Sequence, residues 1–193
     1  MIETGMRIKC AALLVCAVLL RSATVQTTTS ASGFAHEFLL SFDDAQTKVL
    51  TLAKAIPADK FSWRPGAGIR SVSEVYVHIA NGNRLLLSLM NGMPAREEFM
   101  KMVQTNEQRE RSVTGKAKVV ADLEASFKEV RNALDSASGD QLSKPIKFFG
   151  EDATPRAVYM SILSHVSEHL GQSIAYARMN GIVPPWSRGE GGQ

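Results

Sequence analysis

The sequence predicts an all-α fold, a four-helix bundle, on three observations. Apolar residues recur at spacings of three and four over four long stretches, the period of an amphipathic helix. Helix start and stop residues punctuate those stretches. No strong strand pattern and no internal repeat interrupt them. The chain has 193 residues, of which 45% are hydrophobic and 21% charged. That is the length of one domain with a tail and the composition of a globular protein.

Residues 1–32 read as a signal peptide and polar leader. Arg7 and Lys9 precede an eleven-residue apolar run, CAALLVCAVLL at 10–20. Such a run suits a signal core and is short for a membrane span, which needs about 20 residues. An uncleaved N-terminal anchor is the alternative, and only that alternative brings in a membrane. The expected location is therefore periplasmic or secreted. Residues 33–187 form the expected bundle, and 188–193 a flexible tail.

Helix one is expected over 34–55, with Phe38, Leu39, Phe42, Ala45, Val49, Leu50 and Leu52 on its apolar stripe, and Pro57 stops it. Phe61 and Trp63 are the aromatic anchors of the loop that follows. Helix two starts at Ser71-Val-Ser-Glu74, the form of a capping box, in which each of the two side chains bonds the other residue's amide. It carries Val75, His78, Ile79, Leu85 and Leu86 to about Asn91-Gly92. Residues 95–113 are rich in charge and read as a solvated, partly helical connection. Helix three covers 114–136, with Val119, Val120, Leu123, Phe127, Val130 and Leu134 as its stripe. A short apolar connector, KPIKFFG at 144–150, leads to helix four. That helix opens at Thr154-Pro155, a good N-cap followed by a proline that loses nothing in the first turn. Gly181 and Pro184-Pro185 end it.

Charge and cysteine content exclude several function classes. The formal charge is +3, and without residues 1–32 the balance is 19 basic against 18 acidic side chains. A nearly neutral surface gives no sign of nucleic-acid binding. Both cysteines, Cys10 and Cys16, lie in the leader. The remainder has no thiol for a disulfide, a nucleophile or a metal.

The chemistry rests on histidine. His165 and His169 stand four apart within helix four, so both rings point the same way, one turn apart. They fall on the side of Val158 and Ile162, which directs them into the bundle or along its rim. Two inward imidazoles suit one metal ion, although two hydrogen-bonded core histidines would satisfy the same pattern. The segment His165-Val-Ser-Glu168-His169 also matches the inverted zincin pattern H-x-x-E-H. That reading fails, because Glu190 in the glycine-rich tail is the only acid downstream and Glu168 points about 100° away from His169. His36 reads as an exposed helix residue. Glu74, one turn before His78, is explained by the capping box, with orientation of His78 as the alternative.

The order of these motifs resembles the DinB/YfiT-like family of metal-binding four-helix bundles. Trp63-Arg-Pro65 is similar to its W-x-P loop, and Ser71-Val-Ser-Glu74-Val-Tyr-Val-His78 to its second-helix start. His165-Val-Ser-Glu-His169-Leu-Gly-Gln172 and Gly181-Ile-Val-Pro184-Pro185 are similar to its last helix and exit. The resemblance spans residues 34–187 and implies a metal site of His78, His165 and His169. Gln172 would stand beside it, orienting a ligand or water, with a plain bundle-end polar role as the alternative. The ion would be divalent, zinc by default, with nickel, iron or manganese also suited to imidazole. Three histidines leave positions open for water or substrate. The resemblance therefore implies a metal-dependent hydrolase or transferase acting on a small molecule, with thiol-dependent transferases and isomerases among the family. A homodimer is the expected assembly. The alternatives are a metal-binding protein without catalysis and a metal-free bundle that binds a ligand or partner.

Overall fold

The computed structural model describes residues 26–189, and their side chains from residue 33 onward. The apolar run at 10–20 and residues 190–193 lie outside the described residues. Six helices are present among those described: α1 (Gln26–Ala55), α2 (Val72–Ser88), α3 (Arg96–Ser112), α4 (Lys116–Asp135), α5 (Gly139–Ser143) and α6 (Pro155–Met179). A two-stranded antiparallel hairpin, β1 (Ile146–Phe148) and β2 (Glu151–Ala153), stands between α5 and α6.

The four long stretches read from periodicity become α1, α2, α4 and α6. Every residue of the helix-three stripe is buried in α4, as are Phe38, Phe42, Ala45, Val49 and Leu52 of α1, while Leu39 and Leu50 pack against the core only partly buried. They meet in one core with Val75 and Ile79 of α2 and Ile162 and Val166 of α6. Phe38 and Phe42 stack at 5.0 Å, and Phe42 meets Phe127 edge-on at 5.6 Å.

Pairings along the helices give the topology. Ser73 reaches Val113 and Asn83 reaches Ser126, so α2 and α4 run parallel. His78 and Gly82 meet His165, while Arg70 meets Tyr176, so α2 and α6 run antiparallel. Two parallel helices joined in sequence need a connection as long as the bundle. That connection is α3, whose 17 residues span about 25 Å at 1.5 Å per residue. The solvated, partly helical segment expected at 95–113 is thus a full helix packed on α2. Its mostly charged face is solvated, but Glu110 is buried.

The local signals act at their positions. The Glu74 amide donates to Ser71 Oγ at 3.2 Å, and the Ser71 amide donates to Glu74 Oε2 at 2.6 Å, completing the capping box. Gly181 has φ +70°, and the amides of Gly181 and Ile182 donate to the carbonyls of Arg178 and Ala177. This is the paired-bond C-terminal motif in which glycine bears the left-handed residue.

Other expectations need correcting. Thr154 occupies the N-cap position of α6 but makes no side-chain cap bond. Helix one is already helical at Gln26, the first described residue, and not only from 34, because no proline interrupts residues 26–33 and Gly33 is tolerated. The connector at 144–150 is half of a hairpin. Phe149 and Gly150 both take positive φ at its turn, so three-residue strands form without the long alternation that marks a strand in sequence.

Candidate metal centre

α2 and α6 cross where the second turn of α2 faces the middle of α6. His78, His165 and His169 come together there, each offering one ring nitrogen within 4.8 Å of the others. Their ring centroids lie 4.6–5.0 Å apart. Nε2 of His78 and Nε2 of His165 are 3.2 Å apart. Tetrahedral zinc with Zn–N of about 2.0–2.1 Å holds its nitrogens about 3.3–3.4 Å apart.

Neighbouring groups orient two of the rings. Nδ1 of His78 lies 2.6 Å from Glu110 Oε1. An ionised carboxylate only accepts, so the proton is on Nδ1 and the Nε2 lone pair faces the cluster. Burial pushes the Glu110 carboxyl up, but hydrogen bonds from His78 and Arg70 hold it below the usual carboxylate range. Arg70 Nε donates to Glu110 Oε2 at 2.7 Å. Nδ1 of His169 lies 2.8 Å from Gln172 Oε1, an amide oxygen that also only accepts. Gln172 Nε2 donates to the Tyr176 hydroxyl, which donates to the Arg70 carbonyl. Gln172 therefore orients His169, and the chain of bonds fixes its own amide orientation.

His165 is held by shape. Its ring lies against Gly82, where a Cβ would stand 2.2 Å from His165 Cε1. Its Nδ1 is buried and has no hydrogen-bond partner among the described residues. Burial, then the neighbouring His169, His78 and Arg70, push the His165 imidazole down to about 3. Burial also lowers His169, opposed by the Gln172 bond and aided by His78.

The donor set fits a cation. With Nδ1 of His78 and of His169 engaged, their Nε2 atoms are left as donors for a cation beside His165, which its burial keeps neutral. Lone pairs packed this closely repel unless a proton or a metal ion lies between them. Three imidazoles with outer partners on two of them are the usual dress of a metal site.

Several functional neighbours are invisible to periodicity. Glu110 lies in the segment read as solvated, and nothing in that run of charges marks it as the inward one. Gly82 was open to detection, since a glycine inside a helical pattern signals a close approach. The Glu74 carboxylate is engaged by the Ser71 amide, as the capping box requires, and by Arg64. His36 and Glu168 are exposed.

A sequence model of the DinB superfamily matches residues 41–173. Two solved structures share the fold. A DinB-like protein from Bacillus subtilis is 19% identical with a TM-score of 0.55, covering 78% of this chain and 93% of its own. A DinB-like protein from Bacillus cereus ATCC 10987 is 17% identical with a TM-score of 0.60, covering 80% and 95%. No curated protein matches this chain.

Proposed function

This chain belongs to the DinB superfamily, and from that premise we propose that it binds one divalent metal ion through Nε2 of His78, His165 and His169 and acts on a small molecule by hydrolysis or group transfer. The observation that carries the reading is the convergence of three ring nitrogens within 4.8 Å, two of them from rings oriented by Glu110 and Gln172. The bound ion would supply Lewis acidity at a position left open by three ligands. The protein's own residues hold that position. Burial keeps His165 neutral, Glu110 and Gln172 keep the other two lone pairs turned inward, and Gly82 admits the third ring. Zinc is the proposed ion, because three imidazoles suit it well and leave a fourth site free. We further propose that the protein is exported, the run at 10–20 acting as its signal, and that it pairs as a homodimer.

The test is elemental analysis of protein purified without chelator. About one metal ion per chain is expected. His78→Ala, His165→Ala and His169→Ala should each lose most of it on dialysis, while His36→Ala keeps it. Full occupancy in His78→Ala would refute the site. A loaded protein whose metal is reached by neither azide nor a small thiol would instead support binding without catalysis.

A further inference from the structure

Glu110 makes the one contact between α3 and the histidine cluster among the described hydrogen bonds. It reaches His78 from the helix that periodicity assigns to solvent. Its two oxygens are both engaged, Oε1 by His78 Nδ1 at 2.6 Å and Oε2 by Arg70 Nε at 2.7 Å. The residue is only 7% exposed. Burying a carboxylate is costly unless it is paired, and removing one partner of such a pair leaves the other stranded. Here the carboxylate is fixed between a guanidinium and an imidazole, one on each oxygen.

We infer that Glu110 is the positioning residue of this site. It holds His78 in the Nδ1–H tautomer, which leaves Nε2 as the donor of His78 to the cluster, and Arg70 keeps the carboxylate in place. The inference deepens the proposed function and rests on it for the metal. The tautomer follows from the geometry alone. Without Glu110, the Nδ1–H tautomer loses its buried acceptor and the other tautomer competes. That tautomer puts a proton where the cluster needs a lone pair. Outer partners of this kind change metal affinity about 10–100-fold.

Two variants and two readouts test the role. Glu110→Gln keeps the shape and removes the charge; Glu110→Ala removes both. Nitrogen-15 spectra of the metal-free proteins near pH 7.5 report which ring nitrogen carries the proton. In the wild type, His78 should show Nδ1–H. In Glu110→Ala it should lose that preference, while His169, held by Gln172, keeps its own. Zinc affinity, measured by competition with a chelator, should fall about 10–100-fold in Glu110→Ala and less in Glu110→Gln. A purely structural role would not change one histidine's tautomer and spare the other. Wild-type His78 protonated on Nε2, or zinc affinities of both variants within threefold of wild type, would overturn the inference. A wild type that takes up no zinc would refute the proposed function alone, and the tautomer spectra would then decide the role of Glu110.

Discussion

Replacing Gly82 by alanine separates the stability of the fold from the competence of the site. The added methyl carbon would stand 2.2 Å from His165 Cε1, 2.6 Å from Nδ1 and 2.9 Å from Nε2. Carbon atoms in contact sit about 3.5–4.0 Å apart, so the ring must retreat by more than about 1 Å. The retreat moves Nε2 off a point it shares with two other rings, and metal bonds tolerate only about 0.2 Å of error. Zinc affinity should fall at least 100-fold, equivalent to about 2.8 kcal/mol. Stability behaves differently. Alanine in a helix interior gains about 0.8–1.0 kcal/mol over glycine, while overpacking costs about 1–3 kcal/mol. The net change in the metal-free protein should lie between about zero and 2 kcal/mol destabilising. Chelator competition gives the affinity, and urea unfolding of the metal-free protein gives the stability. A Gly82→Ala protein that binds zinc within threefold of wild type would refute the account of His165, because no rotation of that ring would then matter.

Acidification should destabilise the metal-free protein. The His165 imidazole is pushed down to about 3 and His169 is also lowered, so below about pH 6.5 the unfolded chain binds more protons than the folded one. Stability should be full above that pH and fall as pH drops from about 6.5 toward 3, by up to about 1.4 kcal/mol per pH unit for each such proton. Glu110, held low, adds to the loss only below about pH 4.5. Urea titrations at pH 7.5, 6 and 5 check this, and a flat profile would contradict it. Gln172→Leu should weaken zinc binding about 10-fold and release the tautomer preference of His169, not of His78, in nitrogen-15 spectra. Gly181→Ala should cost about 1 kcal/mol in urea unfolding, because φ of +70° suits glycine and not an L side chain.

The helices legible in the sequence are those whose stripes face one core. In α4 every predicted stripe residue is buried, because a two-sided environment imposes a 3.6-residue period on composition. The capping box at Ser71 and the glycine at 181 are local devices that satisfy backbone groups within a few residues, so they too are readable without a fold. α3 escaped because most of its length faces water, and solvated helices need little apolar pattern. The hairpin at 146–153 escaped because strands of three residues are too short to alternate.

The sequence by itself determined the partners within reach along one helix. His165 and His169 share a face because 3.6 residues make a turn, and they would share it in any fold that keeps α6. Only the tertiary structure decided what stands across from them. The antiparallel meeting of α2 and α6 sets His78 Nε2 at 3.2 Å from His165. The close approach of the same helices places the His165 ring on Gly82, and the length that α3 must cross brings Glu110 to His78 from 32 residues away. Separations of that size carry no periodic trace, since they depend on how helices pack and not on how a chain coils.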